Sequence, residues 1–297
     1  MFPSSAPHLP IDPSPPLRRD NGDRDGTNGA IAPRPFLKWA GGKGRVLQQY
    51  LPFFPGHYDT YHEPFLGGGA IFFHLQPPQA VLTDINPELV NVYRCIRDQV
   101  NTVIELLHEH KQQHSSDYYY QVRAQVGNTD AERAARLIYL NKTCFNGLYR
   151  ENSKGQFNVP MGRYKNPRIC DPALLRAASR ALQPAVITTQ PFETILVRAN
   201  SASDLVYFDP PYHPISPTSN FTAYNRFAFN EADQVRLREV FVALAQRGVA
   251  VMLSNSDCPF IRDLYQGFQI HTIQAARAIN SNARKRGKIT ELLITSF

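Results

Sequence analysis

From about residue 35 onward, apolar residues along this chain alternate between two rhythms. Ala80-Val-Leu-Thr-Asp84 is a short apolar run ending in a carboxylate and reads as a buried strand. Asn86-Pro-Glu88 then supplies a capping side chain, a proline suited to the first helical turn and an acid at the positive helix end. Leu89, Val92, Tyr93 and Ile96 follow at helical spacing, which predicts a strand-loop-helix unit. The helical rhythm continues with Val100, Val103, Ile104 and Leu107 and returns with Ala134, Ala135, Leu137, Ile138 and Leu140. Strand-like runs reappear at 186–189, 205–208, 249–253 and 289–295, and 231–246 suits a helix opened by Asn230. Strands alternating with helices predict an α/β fold whose sheet is covered on both faces.

Two segments break the alternation. Residues 1–34 mix Pro, Asp, Gly, Ser and Arg almost without apolar periodicity and are expected to form a disordered leader. Residues 97–175 begin helical and then, over 141–170, turn to Gly, Asn, Pro, Lys and Arg with interleaved Tyr and Phe. The expected organisation is a sheet-based core of residues 35–96 and 176–297 interrupted by an inserted domain, 97–175.

Charge adds a partner class. The 32 basic and 25 acidic residues leave a net charge of +7, which favours a polyanionic partner. The first 34 residues contribute nothing net, with four Arg and four Asp. By contrast, 141–170 holds Lys142, Arg150, Lys154, Arg163, Lys165 and Arg168 against Glu151 alone, and a second acid-free stretch holds Arg277, Arg284, Lys285, Arg286 and Lys288. A solvated face explains either cluster by itself; two clusters flanking one candidate catalytic motif explain less easily that way. The four cysteines are widely spaced without metal-site spacing and are expected to be reduced thiols, with no metal bound. With neither an apolar run of membrane length nor a signal segment, a cytoplasmic protein is expected.

Candidate chemistry clusters at two places. Glu63-Pro-Phe-Leu-Gly-Gly-Gly69 puts three glycines before Ile71-Phe-Phe, a turn that lets a ligand approach the backbone, although an ordinary tight turn fits the same residues. Asp84, fifteen residues on at a strand end, can accept hydrogen bonds from two ribose hydroxyls, or can simply cap a helix. Upstream, Phe36-Leu-Lys-Trp-Ala-Gly-Gly-Lys43 offers Trp39 as a pocket wall or core residue and Lys43 as a polar contact. Neither G-x-G-x-x-G nor G-x-x-x-x-G-K-[ST] is present, which argues against a nicotinamide enzyme or a P-loop ATPase.

The second place is Asp209-Pro-Pro-Tyr212, directly after the apolar run 205–208. Two prolines stiffen the turn and hold the preceding carbonyls and carboxylate in fixed directions. The Asp209 carboxylate and the Pro210 carbonyl can accept both hydrogens of an exocyclic amine whose lone pair is otherwise delocalised into its ring. That aims the lone pair at an electrophilic methyl group, so positioning and fixed dipoles supply the catalysis. Tyr212 can stack on a base rotated out of a duplex.

Together these motifs resemble, in order, those of the Dam-like (D12 class) DNA adenine-N6 methyltransferases, over nearly everything after Pro35. The resemblance implies a Rossmann-like S-adenosylmethionine-dependent core with an inserted, mainly helical DNA-recognition domain. It implies that Trp39, Lys43, Phe65, Gly67, Gly69, Asp84 and Asp209 bind the cofactor, and that Asp209, Pro210 and Tyr212 form the catalytic turn. Tyr139-Leu-Asn-Lys-Thr-Cys-Phe-Asn-Gly-Leu-Tyr-Arg150 is similar to the family's most characteristic DNA-reading stretch. Asn146, Leu148 and Arg150 resemble residues that touch bases or fill the gap left by the flipped adenine, and Lys38 resembles a lysine that reads a flanking guanine. Lys142, Arg163 and Lys165 are assigned to phosphates. Arg284 and Lys288 resemble part of another DNA-side loop, and Phe221, Tyr224 and Phe229 part of a substrate-closing loop.

The implied partner is double-stranded DNA, read at GATC or at another adenine-containing site. A restriction endonuclease acting on the same site without a stable complex, and a monomeric chain associated with the nucleoid only through DNA, complete the expectation. Cytosine-N4 and RNA amine methylation are the alternatives. Cytosine-N4 enzymes usually resemble Ser-Pro-Pro-Tyr, so Asp209 favours adenine, and an RNA enzyme should lack a duplex-reading insert of this kind. The long leader and Tyr149, in a variable position of the reading stretch, depart from the family pattern.

Overall fold

A computed structural model describes residues 31–215, 229–276 and 288–297. The expected leader, except 31–34, lies outside the described residues, as do Phe221, Tyr224, Arg277, Arg284, Lys285 and Arg286; for Lys288 the backbone alone is described.

The described chain opens with a short helix α1 (Leu47–Tyr50), then β1 (Thr60–Glu63), α2 (Ala70–Leu75), β2 (Ala80–Asp84) and α3 (Pro87–Asp98). Three helices follow, α4 (Val100–Gln112), α5 (Ser116–Ala124) and α6 (Asp130–Thr143). Beyond a long loop come α7 (Pro172–Leu182), β3 (Ala185–Thr189), α8 (Ile195–Arg198), β4 (Asp204–Phe208), α9 (Glu231–Gln246), β5 (Ala250–Ser256), α10 (Pro259–Leu264), β6 (Gln269–Ala276) and β7 (Lys288–Thr295). Helix starts fall where the sequence supplies caps. The Asn86 side chain accepts from the Glu88 and Leu89 amides, Asp171 accepts from Leu174, and reciprocal capping boxes open α6 (Thr129 with Glu132) and α9 (Asn230 with Asp233).

One seven-stranded sheet runs β3-β2-β1-β4-β5-β7-β6. The first five strands are parallel, whereas β7 inserts antiparallel beside β5 and carries β6 at the edge. Period-two alternation divides the core between two faces. Leu205 and Tyr207 of β4, Met252 of β5 and Leu293 of β7 join one apolar cluster; Val206, Phe208, Val251, Leu253, Leu292 and Ile294 join another. α3 to α7 contribute to the first cluster, and α8, α9 and α10 to the second. The α/β fold is therefore Rossmann-like, with both faces of the sheet covered. Helices α4 to α6 share one continuous apolar core with β1, β2 and β3 through α3.

Strand order reverses between β1 and β4. After β1 the chain moves outward to β2 and β3, and after β4 it moves the other way. β1 pairs in parallel with both β2 and β4, so the carboxyl ends of all three open on the same edge. A crevice at such a reversal is where doubly wound sheets bind ligands.

Candidate active site

Each of those three strand ends feeds a loop with a motif from the sequence. After β1, Gly67 and Gly69 have φ of 48° and 64°, left-handed values that suit glycine. A Cβ on Gly67 would come within 3.1 Å of the Trp39 indole, so the indole rests directly on the turn. Phe65 stacks with Phe192 at 5.5 Å and lies edge-on to Phe229 at 5.7 Å. At the end of β2, Asp84 accepts from the Gly67 amide at 3.1 Å and from the Asn86 amide at 2.9 Å. Burial raises the Asp84 pKa, while the amides of Asn86, Gly67 and Ile85 oppose the rise. Trp39, Phe65, Gly67, Gly69 and Asp84 are thus gathered at one place.

At the end of β4, Lys43 Nζ lies 2.7 Å from Asp209 Oδ1, with the two side chains 4% and 21% exposed. Burial disfavours the Lys43 ammonium, but Asp209, with Tyr50 and Glu291 nearby, outweighs it and raises the pKa. Lys43 Nζ also donates to the Gly41 carbonyl at 2.9 Å and sits 4.7 Å from the centre of the Tyr212 ring. The Ser254 hydroxyl donates to the same Oδ1 at 2.8 Å, and among the described residues none donates to Oδ2. Gln234 donates to the Pro211 carbonyl at 2.9 Å, and Asn255, itself donating to Gln234, accepts the His213 amide at 3.1 Å. The turn is held from both sides, while no described residue donates to the Pro210 carbonyl. Tyr212 donates to Glu291 Oε2 at 3.1 Å, and Tyr50 donates to Oε1 at 2.6 Å.

The expected DNA-side residues occupy a second group. The loop segments 144–151 and 157–161 are bridged at Cys144 with Met161 and at Glu151 with Phe157. Asn146, in a single helical turn over Phe145–Gly147, and Leu148 and Arg150 beyond it are exposed on the first segment, next to Phe145, which is half exposed. The Arg150 guanidinium donates to Asn158 Oδ1 at 2.7 Å. Arg163 and Lys165 are exposed on either side of Tyr164, whose ring lies 4.0 Å under Lys38 Nζ. Lys142 is partly buried; burial, with Lys38, Arg168 and Arg34 close by, lowers its pKa to about 8. The Trp39 and Tyr149 rings, 5.5 Å apart, link this group to the glycine turn.

Sequence reading missed Ser254, Gln234, Asn255, Tyr50 and Glu291. Their available signal was polarity in the wrong place: Glu291 interrupts an apolar strand and is 8% exposed, and Ser254 and Asn255 end β5 with no exposure. Phe145 and Asn141 lay inside a recognised motif without being singled out.

A Rossmann-like sheet with a glycine turn after β1, a carboxylate after β2 and an Asp-Pro-Pro-Tyr turn after β4 is the plan of a methyltransferase. A model of the family described as D12 class N6 adenine-specific DNA methyltransferase matches residues 39–279, and the chain belongs to that family. The chain is 46% identical over 272 residues to a Type II methyltransferase of Lactococcus lactis subsp. cremoris, covering 89% of this chain and 95% of that protein. It is 41% identical over 287 residues to a Type II methyltransferase of Methanocaldococcus jannaschii, covering 89% and 99%. It is 36% identical over 264 residues to the DNA adenine methylase of Escherichia coli, covering 88% and 94%. Family membership makes the protein a DNA adenine-N6 methyltransferase and implies S-adenosylmethionine as methyl donor. Among the described residues no helix is long and apolar enough to cross a membrane.

Proposed function

We propose that this protein methylates a flipped adenine in duplex DNA, within GATC, through the crevice between β1, β2 and β4. The observation that carries this reading is the asymmetric use of Asp209, whose Oδ1 is engaged by Lys43 and Ser254 while Oδ2 accepts from no described residue. An amine entering the turn meets two acceptors held in fixed directions, Asp209 Oδ2 and the Pro210 carbonyl. Together they accept hydrogen bonds from its two hydrogens and turn its lone pair out of conjugation; the nitrogen displaces the thioether from the methyl group and then sheds one proton to the Asp209 carboxylate and on to solvent, so no strong base is needed before transfer. The buried Lys43 ammonium keeps the Asp209 carboxylate from rotating, and Tyr212, anchored through its hydroxyl to Glu291, offers its ring to the base. S-adenosylmethionine, when bound, supplies a methyl group already activated by the sulfonium centre.

The cradle around the glycine turn fits that donor. Asp84 offers acceptors for ribose hydroxyls, the bare Gly67 lets the Trp39 indole pack on the turn as a wall of the crevice, and Phe65 lies beside them. Residues 97–175 are assigned to target recognition. Asn146, Leu148, Arg150 and Lys38 read bases or fill the gap in the stack, and Lys142, Arg163 and Lys165, with Arg284 and Lys288, neutralise phosphates. Burial is the main reason the Lys142 pKa falls, and the crowding by Lys38, Arg168 and Arg34 that adds to it supports this role, since a phosphate would relieve that part of the penalty. Because one chain supplies Lys43, Asp84 and Asp209, the working unit is a monomer. Two relatives are named Type II methyltransferases, which supports a role in protecting DNA from an endonuclease of the same specificity.

Asp209→Ala tests the catalytic assignment. It removes the partner of a buried ammonium, a loss worth about 3–5 kcal/mol for a fully buried pair and less here, where Asp209 is 21% exposed. Retained binding to nonspecific duplex DNA therefore checks that the variant is folded. The expected outcome is loss of methyl transfer from labelled donor to DNA with that binding kept; wild-type turnover would refute the role.

A further inference from the structure

The Asn141 carboxamide, near the end of α6, makes three hydrogen bonds to the main chain of two separate segments and is 1% exposed. Its Oδ1 accepts the Lys38 amide at 2.8 Å, and its Nδ2 donates to the Lys38 carbonyl at 2.7 Å and to the Gly147 carbonyl at 3.0 Å. No other side chain of this size offers one acceptor and two donors in that fork: an aspartate has no proton to donate, and an aliphatic side chain has neither. The second contact between the segments is steric. Gly147 has φ of 65°, and a Cβ there would lie 2.5 Å from Lys38 Cβ and 2.6 Å from Lys38 Cδ, so the lysine stem lies directly on the glycine backbone. The segments also meet through Trp39, one residue past Lys38, and Tyr149, two past Gly147.

We propose that Asn141 is a specificity-positioning residue, which sets Lys38 at a fixed height against the 145–150 turn so that the two read adjacent base pairs as one rigid unit. The inference rests on the assignment of Lys38 and that turn to base reading. Asn141 itself is buried away from any surface DNA could reach, so its influence on sequence preference passes through the Lys38 backbone. A hydrogen bond to a base edge is steep in distance and angle, and a shift of a few tenths of an ångström in Lys38 degrades discrimination before it degrades phosphate binding.

The experiment measures kcat/KM on a preferred DNA site and on each singly substituted site, for the wild type, Lys38→Ala, Asn141→Asp, Asn141→Ala, Gly147→Ala and the Asn141→Ala/Lys38→Ala double variant. The cognate to near-cognate ratio should fall roughly tenfold at the base pair that Lys38→Ala relaxes, in both Asn141 variants and in Gly147→Ala, which displaces Lys38 while leaving the Asn141 side chain unsubstituted. Nonspecific DNA binding of the Asn141 single variants and of Gly147→Ala should stay at the wild-type level, and the double variant should be no less discriminating than Lys38→Ala. If Lys38→Ala relaxes one base pair while Gly147→Ala and a DNA-binding Asn141 variant keep wild-type discrimination there, the positioning role is overturned and the base-reading assignment stands. If Lys38→Ala changes no base pair, the base-reading assignment fails first and the inference falls with it.

Discussion

At the scale of single residues, the crevice depends on charged groups that burial would penalise if they stood alone. Lys43 is 4% exposed yet charged, because Asp209 is its partner and Tyr50 and Glu291 lie near. Glu63, at the end of β1, shows the opposite outcome. It accepts the Tyr61 hydroxyl at 2.9 Å, but burial dominates and Asp209 adds to it, pushing its pKa up to about 8 from the usual 4.5. A carboxyl whose folded value lies above its unfolded value stabilises the fold fully below the unfolded pKa, and that contribution is lost as pH rises through the folded one. The window is therefore about pH 4.5 to 8. Glu63→Gln, which cannot ionise, is expected to lose less thermal stability than the wild type between the two ends of that window. Parallel curves of Tm against pH for the two proteins would contradict the assignment.

At the scale of elements, strand parity explains how the site is assembled. Ser254 and Asn255 point to opposite faces of β5, so one fixes the Asp209 carboxylate and the other pins the same turn through Gln234 of α9. In the basic loop, two bridges tie segment 144–151 to segment 157–161, and Asn158 holds the Arg150 guanidinium at 2.7 Å. Arg150→Ala is expected to relax discrimination at one base pair by about 1–3 kcal/mol, read as the change in kcat/KM between preferred and substituted sites, with unchanged preference removing Arg150 from the reading set. Sequence periodicity was sufficient for β2, β3, β4, β5, β7, α3 and α9, which are long or cleanly bounded by caps. It missed β1, whose four residues Thr60–Glu63 include a buried histidine and a buried glutamate, and β6, an edge strand with exposed polar residues Gln269, Thr272 and Gln274 on both faces. The motif residues were legible because a run of three glycines, a strand-end aspartate and an Asp-Pro-Pro-Tyr turn are rare in such order. Glu291 and Asn141 were not, because their partners lie 241 and 103 residues away in sequence.

For the whole molecule, the reversal of strand order between β1 and β4 brings the glycine turn, the Asp84 carboxylate and the Asp-Pro-Pro-Tyr turn to one edge of the sheet. The helices that follow α3 place a basic loop pair within reach of the same edge, with Trp39 touching both the glycine turn and Tyr149. Trp39 therefore joins the glycine turn to the basic loop through packed aromatic and main-chain atoms. The charge distribution follows that plan, since the segment 141–170 carries six basic residues and one acid. The most direct test of the central claim is methylation of a mixed-sequence duplex library with S-adenosylmethionine, read base by base. The account predicts N6-methyladenine confined to one short sequence, GATC, and none with Asp209→Ala; methylated cytosine, or no modified adenine from a protein that binds both donor and DNA, would contradict it.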